Sequence, residues 1–297
     1  MQREAQTQLV TVRDALRYAV TRFNAARLFF GHGSTSAYDE AAYLVLHTLS
    51  LPLDTLEPFL DARLLTSELN TLMHIIERRV ELRVPAAYLT NEAWLGHYKF
   101  YVDPRVIVPR SFLGELLIDR LAPWLPEPDK VHEVLELCTG SGCLAIIAAD
   151  QFPDATVDAV DLSADALSVA RQNVETYGFK DRVTLIESDL TDKLPKKRYD
   201  VILSNPPYVP DASMAKLPAE YGHEPRMALA GGVDGMDLVR QIMRQSRAFL
   251  KRDGLLFVEV GHERAAVEAA FPDMNLTWLS TTGGDDMVFM VAQDQLP

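Results

Sequence analysis

Apolar positions recur at helical spacing early in the chain: Leu9, Val12, Ala15, Leu16, Ala19 and Val20, then Leu69, Leu72, Ile75, Ile76 and Val80. Each set draws one face of an amphipathic helix. Gly31-His32-Gly33-Ser34 breaks one helix, Ala41 to Leu49 restarts another, and Pro52 and Pro58 mark turns. Residues 1–85 are therefore predicted to form a small helical bundle, read as a recognition domain. The character changes at Ala86. Trp94 to Val102 is aromatic and alternating, Val106-Ile107-Val108 is β-branched, and Asp103-Pro104-Arg105 between them has turn composition. Residues 86–110 thus read as a β-hairpin linker. From 111 to 297 strands and helices alternate. Strands are predicted at Val134–Leu137, Thr156–Val160, Val183–Ile186, Val201–Leu203, Leu255–Val260, Leu276–Leu279 and Met287–Val291. Helices fall at Cys143–Asp150, Ala164–Tyr177, Gly235–Leu250 and Glu263–Ala270. Such alternation implies a parallel sheet covered by helices. The link Ser280–Asp286 is too short for a helical crossover, so the last two strands must pair antiparallel. The expected fold class is α/β: a doubly wound seven-stranded sheet with an antiparallel terminal hairpin, behind a small helical domain.

Composition narrows the setting. The chain has 297 residues, 48% hydrophobic and 24% charged, enough for a core domain with an appendage. No run approaches ~18 apolar residues, so no membrane span is expected. Met1-Gln2-Arg3-Glu4-Ala5 lacks a basic-then-apolar secretory pattern. Cys138 and Cys143 lie in one segment, which is no disulfide framework and points to a reducing compartment, the cytoplasm. A net charge of −13 disfavours non-specific nucleic-acid binding and favours encounter with a basic partner. His32 and His74 stand alone and read as structural, and no metal-ligand spacing accompanies the two cysteines.

Candidate chemistry begins at Glu136-Leu137-Cys138-Thr139-Gly140-Ser141-Gly142-Cys143, which follows a strand and opens a helix. Glycines there permit a tight turn and close approach of backbone to a ligand. Taken alone the loop fits a dinucleotide site nearly as well, reading Gly140-x-Gly142-x-x-Ala145. Asp161-Leu162 ends the next strand, where a carboxylate can accept both ribose hydroxyls. Asp189-Leu190 ends the third, where a carboxylate can accept from an adenine amino group with Leu190 near the ring. A dinucleotide gives less reason for that second acid. Glu136 could hold an ammonium group.

At the end of the fourth strand stands Asn205-Pro206-Pro207-Tyr208. An amide or aromatic amine nitrogen has its lone pair delocalised into a π-system and is a poor nucleophile. It needs acceptors for its two N–H bonds, placed so that the lone pair turns toward a sulfonium methyl. Asn205 offers a side-chain carbonyl and Pro206 a backbone carbonyl. Each is followed by a proline, which biases both toward extended geometry. Pro207 completes the rigid turn, and Tyr208 offers a flat face to the planar group. This is positioning and electrostatic preorganisation. The same geometry serves a protein amide or the amino group of a nucleic-acid base.

The sheet pattern resembles the class I S-adenosylmethionine-dependent methyltransferase fold. The glycine loop, Asp161, Asp189 and Asn205-Pro206-Pro207-Tyr208 together resemble the protein-glutamine methyltransferases, as do Glu224-Pro225-Arg226-Met227-Ala228-Leu229, Gly231 to Gly235 and the helical domain. The likeness covers nearly the whole chain. It implies S-adenosyl-L-methionine as cofactor, held by Glu136, Cys138, Thr139, Gly140, Ser141, Gly142, Asp161, Leu162, Asp189, Leu190 and Asn205. It also implies a glutamine amide bound by Asn205, Pro206, Pro207 and Tyr208, of which Asn205, Pro206 and Tyr208 are catalytic. Release-factor enzymes usually follow Val-Pro-Arg with Pro-Glu-Thr-Glu. This chain instead has Val108-Pro109-Arg110-Ser111-Phe112-Leu113-Gly114-Glu115, similar to the ribosomal-protein branch, as are Arg22 to Ala26 and Gly31-His32-Gly33. That branch implies the third protein of the large ribosomal subunit as partner, met before assembly, with neither nucleic acid nor membrane required. Arg110 and Glu115 could instead pair structurally at the start of the core domain.

Overall fold

The computed structural model describes residues 8–297, and Thr11 caps the first helix that lies wholly among them. The run Met1–Ala5, on which the missing secretory pattern rests, lies outside the described residues. Thr11 Oγ1 accepts from the Asp14 amide at 3.2 Å while the Asp14 carboxylate accepts from the Thr11 amide at 3.0 Å, a reciprocal cap. Helix α1 (Val12–Ala25) is followed by α2 (Ala37–Thr48), capped by Ser36, then α3 (Thr66–Glu81) and the short α4 (Ala86–Thr90). Their apolar stripes bury Val12, Leu16, Phe23, Leu44, Leu72 and Ile76 in one core. His32 is buried against the rings of Phe29 and Tyr221, and His74 is exposed.

The described residues divide into two compact units. The first runs to Ala93 and also takes in Pro218–His223; the second comprises Trp94–Leu217 and Glu224–Pro297. Within the first, Arg79 is buried. Its guanidinium donates to Glu40 at 2.6 Å, to Glu220 at 3.2 Å and to the Phe29 carbonyl at 2.8 Å. A guanidinium out of water needs its donors satisfied, and here each nitrogen has an acceptor.

The hairpin differs from the expectation. Strands β1 (Glu92–Leu95) and β2 (Tyr98–Tyr101) pair around Gly96-His97, inside the aromatic run. Gly96 supplies the left-handed φ of +60° that a tight turn needs. A turn does form at Asp103-Pro104-Arg105, with the Val106 amide donating to the Asp103 carbonyl at 3.1 Å. Val106-Ile107-Val108 is nevertheless no strand, because the Val108 amide is committed to the Glu224 carboxylate at 2.9 Å.

The second unit holds a seven-stranded sheet built from β3 (Glu133–Leu137), β4 (Thr156–Asp161), β5 (Val183–Glu187), β6 (Tyr199–Ser204), β7 (Leu250–Glu259), β8 (Thr277–Thr281) and β9 (Gly284–Ala292). The order is β5-β4-β3-β6-β7-β9-β8. β9 runs antiparallel to β7 and β8, and the remaining pairs are parallel. β7 starts at Leu250, earlier than its apolar run, because Leu250 already pairs with Tyr199 across a register shift. Helices α5 (Leu113–Ile118), α6 (Cys143–Gln151), α7 (Ala164–Thr176), α8 (Asp211–Met214), α9 (Asp237–Phe249) and α10 (Arg264–Ala270) complete the unit. The register sets Leu137 beside Val160 and Ser204, and Asp161 beside Glu187. The loops after β3, β4, β5 and β6 therefore leave from one rim of the sheet, where open α/β sheets bind ligands.

Candidate active site

After Leu137 the chain turns through Cys138 (φ +63°), Gly140 (φ +56°) and Gly142 (φ +78°) into α6. A side chain at Gly140 would meet no atom within 4 Å, so its backbone lies open to a ligand. Gly142 serves packing instead: a Cβ there would sit 3.1 Å from Ala170. The Asp161 carboxylate is fixed by the Gly140 amide at 2.8 Å on one oxygen and by the Ser163 amide at 2.9 Å on the other.

Above the rim lies a cavity of about 280 Å³. Of the residues singled out from the sequence, Cys138, Gly140, Asp161, Leu162, Asp189, Leu190, Asn205 and Pro207 line it. A smaller cavity of about 30 Å³ shares Cys138, Gly140 and Asn205 and adds Glu136, Thr139 and Ser141. Asn205 thus stands on a wall common to both. Gly142, Pro206 and Tyr208 line neither. The larger cavity has two walls that the residue patterns did not mark: Arg105, Val106 and Ile107 on one segment, and Pro225, Met227, Ala228 and Ala230 on another. Only the family resemblance had drawn attention to 224–229.

Glu136 is buried beneath the smaller cavity, and its partners are the Thr139 hydroxyl and the Ala145 amide. Burial pushes its carboxyl up to about 8, although both donors pull the other way. Burial also raises Asp161, against the Ser163 and Gly140 amides. The thiols of Cys138 and Cys143 are raised by burial, the latter to about 12, which disfavours the thiolate at both. Among the described residues no group of three or more His, Cys, Asp or Glu could hold a metal ion.

Ser204 ends β6 and donates to the Leu137 carbonyl at 3.0 Å, fixing where Asn205 begins. Tyr208 then enters a socket made by three glycines. A Cβ at Gly231 would stand 2.8 Å from Tyr208 Cα, one at Gly235 2.3 Å from its carbonyl oxygen, and one at Gly261 2.8 Å from its ring. Backbone bonds close the socket: Val209 donates to Leu229, and Gly231 donates to Val209, each at 2.9 Å.

Arg110 and Glu115 do not pair with each other. Arg110 makes a two-pronged contact with the buried Glu224 at 2.6 and 2.8 Å. Glu115, in the first turn of α5, accepts from the backbone and hydroxyl of Thr282 at 2.7 and 2.5 Å. Ser111 donates at 2.5 Å to Glu259, a buried acid at the end of β7 that burial raises to about 7.

The family description "methyltransferase small domain" matches residues 115–219. The chain is 60% identical to the ribosomal protein uL3 glutamine methyltransferase of Burkholderia pseudomallei, over 98% of this chain and 97% of that one. It is 56% identical to the protein of the same name from Bordetella pertussis, over 100% and 99% of the two chains. Among solved structures, the hMettl16 catalytic domain in complex with a MAT2A 3′UTR hairpin matches with a TM-score of 0.51 at 13% identity, over 75% of this chain and 80% of that one. That likeness concerns the fold alone. With the sheet order and antiparallel β9, it identifies the class I methyltransferase fold expected from the sequence.

Proposed function

The chain belongs to the family of ribosomal protein uL3 glutamine methyltransferases, and we propose that it moves a methyl group from S-adenosylmethionine to the side-chain amide nitrogen of a glutamine in uL3. The observation that carries this is the position of Asn205: at the end of β6, on the wall shared by the two cavities, beside the glycine loop.

The residues present fit S-adenosylmethionine. After accepting from the Gly140 and Ser163 amides the Asp161 carboxylate retains acceptor capacity for a ribose hydroxyl. Asp189 and Leu190 suit the adenine, and the open backbone at Gly140 lets the ligand lie close. Glu136, a buried acid held only by neutral donors, suits the methionine ammonium. Thr139, Ser141 and Cys138 frame that end, Leu162 flanks the sugar, and Gly142 supports the loop from behind. When bound, the cofactor supplies an electrophilic methyl group on sulfonium.

The chain's own contribution is orientation. The Asn205 side-chain carbonyl and the Pro206 backbone carbonyl accept the two amide N–H bonds, which turns the nitrogen lone pair away from its π-system. Such aimed acceptors stabilise charge as it develops on nitrogen. Tyr208 bounds the planar amide, and Pro207 holds the turn rigid between them. The helical unit is assigned to recognition of the protein substrate. A net charge of −13 suits encounter with a basic ribosomal protein before RNA covers it. A cytoplasmic setting accords with two free cysteines, and among the described residues no helix is long and apolar enough to cross a membrane.

The test incubates the protein with labelled S-adenosylmethionine and, separately, uL3, release factor, RNA and DNA, then maps label by mass spectrometry. Label is expected on a glutamine of uL3. Label confined to nucleic acid or to release factor overturns the proposal. Asn205→Ala is expected to slow transfer by about 10²–10³-fold while S-adenosylhomocysteine affinity stays within a few-fold.

A further inference from the structure

Glu224 lines neither cavity, yet its buried carboxylate accepts three hydrogen bonds from the segment opposite. The Val108 amide donates at 2.9 Å, and the Arg110 guanidinium donates at 2.6 and 2.8 Å to its two oxygens. Val108 directly follows Ile107, which lines both cavities. Glu224 directly precedes Pro225, which opens the wall carrying Met227 and Ala228. The Val108 bond therefore runs between the two walls of the larger cavity, one residue behind its surface on each side, and the two Arg110 bonds tie Glu224 to a residue that lines the smaller cavity. Those walls come from chain positions 114 residues apart at the ion pair, with no continuous sheet or helix joining them. A two-pronged guanidinium–carboxylate contact fixes distance and angle together, which a single hydrogen bond does not.

We propose that Glu224 is a positioning residue: it straps the 105–108 wall to the 225–228 wall and so sets the width of the cofactor cavity. The proposal rests on S-adenosylmethionine being the occupant. The strap acts on affinity for the adenosyl ligand, and the acceptors at Asn205 and Pro206 work unchanged once the cavity is filled.

The experiment measures S-adenosylhomocysteine binding by calorimetry for wild type, Glu224→Gln and Arg110→Lys, with melting curves and near-UV circular dichroism alongside. It then measures kcat on uL3 at saturating S-adenosylmethionine. Glu224→Gln keeps the shape but loses the charge, and is expected to weaken binding by about tenfold, because the ligand must then order a wall that is no longer preorganised. Arg110→Lys keeps the charge and loses the fork, and is expected to weaken it by roughly threefold. Glu224→Gln should keep kcat within about threefold at saturation, since only ground-state binding is lost. Affinity within twofold of wild type in Glu224→Gln, or kcat falling while affinity holds, overturns the strap. A purely structural role would lower the melting temperature and leave the affinity of the folded protein unchanged. If Glu224→Gln does not fold, Arg110→Lys decides: affinity equal to wild type overturns the proposal. Failure of wild type itself to bind S-adenosylhomocysteine sinks the cofactor reading and the strap together; binding by wild type with unaffected variants sinks the strap alone.

Discussion

Two buried acids, one in each unit, meet opposite kinds of partner. In the helical unit Glu40 and Glu220 surround Arg79, so the carboxylates that leave water meet a guanidinium. Burial raises the Glu40 carboxyl, and Arg79 pulls against it. In the sheet unit Glu136 lies equally deep but meets only a hydroxyl and an amide, and burial drives it to about 8. A buried acid whose partners are already charged is committed to structure. One whose partners are neutral keeps its proton near pH 7 and stays available to a cation that arrives later.

That contrast can be broken from either side. The largest effect is expected at Glu136. Its folded-state pKa lies above the unfolded value, so its contribution to stability is complete below about pH 4.5 and is lost as pH rises through about 8. Over that window the ligand-free protein should lose on the order of 5 kcal/mol to this one group. Urea unfolding from pH 5 to 9 should show the slope in wild type and a flatter one in Glu136→Gln; equal slopes would remove the contrast. In the helical unit, Arg79→Met leaves the buried Glu40 carboxylate without its guanidinium and Glu220 with Arg83 at 3.4 Å, and should destabilise by about 3–5 kcal/mol. Adding Glu40→Gln and Glu220→Gln should recover most of it. A denaturation midpoint for Arg79→Met close to wild type would mean that the ion cluster is incidental. Thr139→Val removes a donor from Glu136, should cost about 1 kcal/mol and should move the pH midpoint of stability further up. The smallest signal is a proton count. Calorimetry at pH 7 in buffers of different ionisation enthalpy should find close to one proton released per S-adenosylmethionine bound, as Glu136 ionises against the ammonium. Zero protons would assign the ammonium elsewhere.

Most of the sheet was readable because β3 to β6 are short apolar runs bounded by polar turns, and the short Ser280–Asp286 link dictated the antiparallel end. The floor of the site was readable for a related reason: its residues sit at strand ends, where local sequence and position coincide. What escaped has physical causes. Val106-Ile107-Val108 has strand composition, but a carboxylate 116 positions away takes the Val108 amide, and no local pattern announces that. α4 and α5 span only 5 and 6 residues, too few to show helical periodicity. The two upper walls of the cavity, and the Arg110–Glu224 contact beside them, exist only once the chain has folded.

The socket around Tyr208 bears on how far this site could be remodelled. At Gly231, Gly235 and Gly261 the tetrapeptide is shaped by the absence of side chains, so those positions offer no graded adjustment: the first carbon added strikes Tyr208 itself. Substitution at any of the three disturbs the tetrapeptide outright. Val233, in the same segment and 84% exposed, lies outside that constraint.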